Sequence, residues 1–156
     1  MQSFSFKKLA EYIALPLLVG TLAAFLTRGS MDIYQTTVMP PLAPPAWLFP
    51  VVWTILYVLM GISSYIISLS PDIRRKPALT IYKLQLAVNF FWSLIFFNLR
   101  AYLFAFIWII LLWVLIISMI VSFYKIEKVA AYLQIPYLVW VTFAAYLNFA
   151  IFLLNR

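Results

Sequence analysis

The 156-residue chain contains no cysteine and no histidine, and only four acidic residues. Without cysteine there is no disulfide framework and no thiolate chemistry. Without histidine the commonest metal ligand and the usual near-neutral general base are both missing, so no metal site is expected and ordinary acid–base catalysis has no obvious agent. Charge of either sign is scarce: 10% of residues are charged and 67% are hydrophobic, too little polar surface to cover a soluble globule of this size. The bilayer is the solvent this composition implies.

What is present is apolar length. Five stretches, about 9–28, 45–69, 79–98, 101–124 and 129–155, each approach the roughly 20 residues that cross a bilayer core as a helix. A closed β-barrel would need alternating strands of about ten residues, and runs such as Phe104 to Val121 show no alternation. The expected fold is therefore all-α, a polytopic membrane protein forming one five-helix domain over residues 1–156. Lys7 and Lys8 before the first apolar run imitate a signal peptide, but the run is long and no convincing small-residue cleavage site follows, so it is read as the first span.

The net charge of +7 could suggest a nucleic-acid partner, but its placement argues against one. Lys7, Lys8, Arg74, Arg75, Lys76, Lys83, Lys125 and Lys128 fall at one membrane face, leaving Arg28, Arg100 and Arg156 at the other. That asymmetry puts the N-terminus in the cytoplasm of a bacterium-like cell, and the first loop and C-terminus outside. A role at the membrane surface explains the basic charge.

The most unusual stretch is Pro40 to Gly61. Pro40, Pro41, Pro44 and Pro45 fix φ, remove backbone donors and hold the chain extended, so a stiff loop feeds a helix carrying Trp47, Trp53 and Tyr57. The loop over 29–44 is long for an incidental connection and contains Met31, Ile33, Tyr34, Val38, Met39 and Leu42, so it is expected to fold onto the bundle as a lid. Pro40, Pro41, Ala43, Pro44 and Pro45 shape it, and Trp47 fits an anchor at the membrane edge. The remaining turns are short, which makes consecutive helices antiparallel neighbours.

Within the spans, Pro16, Gly20, Ala23 and Ala24 in the first read as packing residues that admit a neighbouring helix. Glu11 is the only acid inside a span and lies near its cytoplasmic end, where pairing or snorkelling is the expected role. The third span sets Tyr82, Gln85, Asn89, Trp92 and Phe96 on one stripe, and the amides of Gln85 and Asn89 must face the bundle interior. The fourth has no polar stripe and reads as scaffold facing lipid. In the fifth, Pro136 needs compensation from neighbouring groups, and Trp140, Ala144 and Asn148 recur every fourth residue. If that face meets Trp53, Tyr57 and Asn89, the result is an aromatic-walled pocket with a few amide groups, suited to a flat apolar ligand.

Three segments, APPAWLFPVVWTILYVLMG from Ala43 to Gly61, YKLQLAVNFFWSLIFF from Tyr82 to Phe97 and LQIPYLVWVTFAAYLNFAIFLLN from Leu133 to Asn155, resemble the translocator protein family. This family is also called TspO, the peripheral-type benzodiazepine receptor or the tryptophan-rich sensory protein family, and the resemblance is to its bacterial members above all. It implies a homodimer of five-helix bundles that binds protoporphyrin IX and related tetrapyrroles, sterols, and benzodiazepine-like or isoquinoline ligands, with no cofactor required. The binding residues it implies are Trp53, Tyr57, Asn89, Phe90, Trp140, Phe143, Ala144 and Leu147, beneath the first loop. Trp53 and Trp140 match two tryptophans linked to light-dependent porphyrin degradation in bacterial members. One departure concerns sterols: Phe149 stands where animal members have the tyrosine of their sterol pattern, and the looser match around Tyr124 is weak.

The leading expectation is thus a membrane receptor or carrier for tetrapyrroles, with a role in porphyrin transport, sensing or stress regulation. The alternatives are a photo-oxidative porphyrin-degrading enzyme using Trp53 and Trp140, and a small proton-coupled multidrug transporter using Glu11.

Overall fold

The structure, a computed structural model, describes residues 3–156. It is helical throughout its regular elements, with no strand among the described residues. Seven α-helices follow in chain order: α1 (Phe6–Thr27), α2 (Ile33–Thr36), α3 (Leu48–Leu69), α4 (Arg75–Ser93), α5 (Tyr102–Tyr124), α6 (Lys128–Tyr132) and α7 (Ile135–Leu154). Five spans long and apolar enough to cross a membrane are built from α1, α3, α4, α5 and the α6–α7 pair.

The ends of these helices follow local chemistry. The Ser5 hydroxyl accepts from the Lys8 N–H at 3.4 Å and starts α1 before the expected Leu9. Pro44 and Pro45 delay α3 to Leu48, three residues later than expected, while Pro50 sits in its first turn, where a missing N–H is harmless. Likewise α4 begins at Arg75, ahead of the expected residue 79, because Pro77 is tolerated in a first turn. Its far end widens into a π turn, Leu94–Asn98, with the Leu99 N–H donating to the Leu94 carbonyl at 3.1 Å.

The fifth span departs from the single helix expected over 129–155. Pro136 has no N–H for the Tyr132 carbonyl and its ring crowds that turn, so the helix stops at Tyr132 and restarts at Ile135. A tighter bond from the Gln134 N–H to the Ala131 carbonyl, 3.0 Å, bridges the break.

Consecutive spans are neighbours, as the short turns require, and α1 also touches α4, while α6 brings the last span back to α3. Between bilayer-embedded helices apolar burial supplies little driving force, so close packing decides. A Cβ at Gly61 of α3 would collide with the Ile13 backbone of α1, and buried Ser63 donates to the Ala130 carbonyl of α6 at 2.7 Å. On α5, Ala105, Ile109, Leu112, Ile116, Met119 and Phe123 form one buried stripe, while Phe104, Ile107, Ile110, Leu111 and Val114 face outward. This span, expected to be a lipid-facing scaffold without a polar stripe, buries one apolar stripe and turns the rest of its surface outward. Glu11 lies exposed in the second turn of α1 and forms no ion pair with a described residue.

Candidate functional site

A cavity of about 380 Å³ lies between α1, α3, α4 and α7 under the first loop. Trp53 and Tyr57 form its α3 wall, stacked with ring centroids 5.5 Å apart. Their spacing of four residues puts both on one helix face. From α4 and the π turn at its end come Trp92 and Phe96, also stacked, at 5.3 Å. Ala144, Leu147 and Asn148 supply the α7 wall, and Gly20, Thr21, Ala24 and Thr27 the α1 wall. Gly20 is required by the wall it faces, since a Cβ there would strike the Tyr57 ring.

Two polar side chains in the wall, Trp92 and Asn148, are tied down. The Trp92 Nε1–H donates to Asn148 Oδ1 at 3.1 Å, and Asn148 Nδ2 donates to the Tyr102 carbonyl at 2.8 Å, linking α4, α7 and α5. Deeper in the bundle Tyr137 donates to Gln85 Oε1 at 2.7 Å. Asn89, one turn from Gln85, is buried with the hydroxyls of Tyr57 and Tyr137 close by, and its amide meets neither of them in full hydrogen-bond geometry. In a low-dielectric interior an amide held this loosely is an unusual group to find beneath a cavity.

The lid is fastened on two sides. A short 3-10 turn (Arg28–Ser30) and α2 carry it away from α1, with Ile33 buried beneath. At the α4–α5 corner Ser30 donates to Asn98 Oδ1 at 3.0 Å, and Arg100 pairs with Asp32 at 2.6 Å and bonds Thr36 at 3.3 Å. Arg100 does so from a left-handed conformation, φ 50°, that glycine normally occupies. On the α7 side Tyr146 donates to the Pro41 carbonyl at 3.2 Å, and Asn155 holds Val38. Tyr34 closes the lid on itself by donating to the Pro44 carbonyl at 3.2 Å.

Of the eight expected binding residues, Trp53, Tyr57, Ala144 and Leu147 line the cavity. Asn89, Phe90, Trp140 and Phe143 do not. Phe90 turns to Phe91, with ring centroids 5.3 Å apart, and Trp140 packs behind the cavity-lining Phe49 at 5.7 Å and against Phe143 at 5.6 Å. The Trp140 indole N–H is buried without a partner. Trp47 is 66% exposed just before α3 and does not line the cavity. The sterol-pattern position holds Phe149, packed on Phe106 at 4.8 Å.

The α1 wall and Arg28 were not expected. Small residues read alike whether they admit a helix or leave room for a ligand, and only the position of Tyr57 against Gly20 tells the two apart. Among the described residues lining the cavity, Arg28 alone is charged; its guanidinium rests over the Phe25 ring at 4.2 Å.

The sequence pattern of the TspO/MBR family matches residues 12–154. The chain belongs to that family. It is 38% identical over 151 residues to the tryptophan-rich protein TspO of Chlorobaculum tepidum, covering 94% of this chain and 95% of the relative. The tryptophan-rich protein TspO of Archaeoglobus fulgidus is 39% identical over 149 residues, with 95% and 97% covered. The translocator protein of Bos taurus is 34% identical over 142 residues, with 88% and 84% covered. Membership and the five apolar spans make this a multi-pass membrane protein of the TspO/MBR family, and its residues 12–154 take in the cavity and its lid.

Proposed function

We propose that this TspO/MBR protein is a receptor or carrier for planar, apolar tetrapyrroles such as protoporphyrin IX, bound in the cavity between α1, α3, α4 and α7. The observation that carries the reading is the pairing of aromatic walls with one cation at the rim. Trp53, Tyr57, Trp92 and Phe96 offer π faces to a macrocycle, and Arg28 offers a counter-charge to the propionates it carries. At about 380 Å³ the closed cavity is near the small end of ligand sites, so the macrocycle enters with the lid raised. Movement of the Trp53–Tyr57 pair would then open the cavity towards Asn89, and movement of Phe49 would open it towards the Trp140 N–H, offering each of these buried polar groups to a ligand. Benzodiazepine-like and isoquinoline ligands, with one carbonyl on a flat apolar frame, fit the same description.

The same proposal includes an N-terminus in the cytoplasm, the lid and C-terminus outside, and assembly as a homodimer. Eight of the eleven basic residues support the orientation, and the resemblance to the family supports the dimer. The two alternatives find less support. Photo-oxidative breakdown by a pair of indoles meets a cavity lined by Trp53 but not Trp140, and proton coupling through Glu11 meets an exposed side chain outside the cavity.

Titration of tryptophan fluorescence tests the proposal. Protoporphyrin IX should quench saturably at micromolar concentration, its dimethyl ester more weakly, and Arg28→Gln should remove the difference between them. Quenching that is absent, or identical in wild type and a Trp53→Ala, Trp92→Phe variant, would defeat it.

A further inference from the structure

On the lid side of the bundle, α5 and α7 leave a second groove of about 500 Å³ that shares no lining residue with the lidded cavity. Its rim carries Arg100, Asn155 and Arg156, and its wall runs down through Phe104, Ile107 and Phe152. Three arginine side chains at this end, Arg28, Arg100 and Arg156, meet one acidic side chain, Asp32, and the backbone carboxylate of Arg156, which leaves an excess of one positive charge. Asp32 is engaged by Arg100 at 2.6 Å, while Glu11, Asp72 and Glu127 lie at the opposite end of the bundle. Among the described residues Arg156 meets no side-chain carboxylate and makes no hydrogen bond.

We propose that this groove binds one anionic phospholipid of the lid-side leaflet. The phosphate would sit at Arg156 and the free edge of Arg100, whose Nη atoms are already held by Asp32 and Thr36. One acyl chain then lies along Phe104 and Ile107, 50% and 59% exposed and three residues apart on one face of α5. The arginines stand directly above an apolar wall that lies within a membrane span, so an anion carried on acyl chains satisfies both at once, while a soluble anion meets only the arginines. Because Arg100 is committed to the lid, Arg156 carries most of the discrimination between headgroups. Arg100 and Asn155 also clasp the lid, so the headgroup rests against its fastenings.

Native mass spectrometry of the full-length protein tests the site, with phosphatidylglycerol and phosphatidylcholine of identical chains, and glycerol 3-phosphate as a headgroup without chains. Wild type should retain one phosphatidylglycerol over phosphatidylcholine by about fivefold, the effect of one arginine at an anionic surface. Arg156→Gln, which removes no hydrogen bond and so should fold normally, should abolish that preference. Ile107→Trp, filling the groove, should lower retention of both lipids. Equal retention of the two lipids by wild type, a preference that survives Arg156→Gln, or displacement by millimolar glycerol 3-phosphate would each overturn the proposal.

Discussion

Asn155 and Val38 hold each other through a reciprocal pair: the Val38 N–H donates to Asn155 Oδ1 at 2.9 Å, and Asn155 Nδ2 donates to the Val38 carbonyl at 3.0 Å. One side-chain amide thereby copies the pairing of two strands and seals the lid to the end of α7. Asn155→Ala deletes both bonds at once. Each is worth about 1 kcal/mol, so lid opening should become roughly tenfold more favourable or more. Hydrogen exchange at the Val38 amide should accelerate by that factor, with exchange in the α5 stripe unchanged.

Arg100 separates two effects that usually travel together. Its left-handed backbone costs about 1–2 kcal/mol in a residue with a Cβ. Arg100→Gly should therefore hold or raise the melting temperature while it frees the lid, and Arg100→Ala should lower stability and free the lid. Thermal unfolding in detergent reports the first quantity, and hydrogen exchange across residues 31–42 the second.

Gly20 and Gly61 both face close neighbours, but the neighbours differ. A Cβ at Gly61 would meet backbone atoms of Ile13 and Tyr12, which cannot yield without parting α1 from α3. One at Gly20 meets the Tyr57 ring, which has the cavity to move into. Gly61→Ala should cost about 1–3 kcal/mol in stability, the range of overpacked cores. Gly20→Ala should cost less, yet shift ligand affinity and Trp53 fluorescence through the displaced Tyr57.

In the α3–α4 turn, Asp72 accepts from the Arg74 side chain and backbone, and these bonds hold its carboxyl down from 3.8 to about 2. A carboxylate lowered on folding stabilises the fold above its ordinary value and loses that contribution as the pH falls through its folded value. The difference in melting temperature between wild type and Asp72→Asn should be constant above about pH 5 and vanish towards pH 2. A constant difference down to pH 2 would show that the Asp72–Arg74 pair adds nothing to stability.

Much of the architecture was readable because the bilayer leaves few choices. A run such as Phe104 to Val121 has one way to satisfy its backbone in lipid, and it does so as α5. Trp53 and Tyr57 were recognisable as one wall from spacing alone. Other features depend on what meets what. The stripe holding Asn89 showed that it faces inward, but whether its amide finds a partner is decided by Tyr57 and Tyr137 on two other helices. Trp140 shares a stripe with Ala144, yet Phe49, arriving from the turn after the prolines, covers it. Pro136 was visible as a problem for the helix; that the chain answers with a full break at Tyr132 reflects α6 packing onto α3, where Ser63 meets the Ala130 carbonyl.

The bond between Val38 and Asn155 spans 117 positions of sequence, and the Tyr146 bond to Pro41 spans 105. A chain inserted into the membrane from its N-terminus makes its lid early but receives last the residues that fasten it on the α7 side. Until α7 is in place the cavity has no α7 wall and its cover no clasp on that side. Closure on the α7 side therefore waits for the last span, while the fastenings at Asn98 and Arg100 are available as soon as the α4–α5 corner is made.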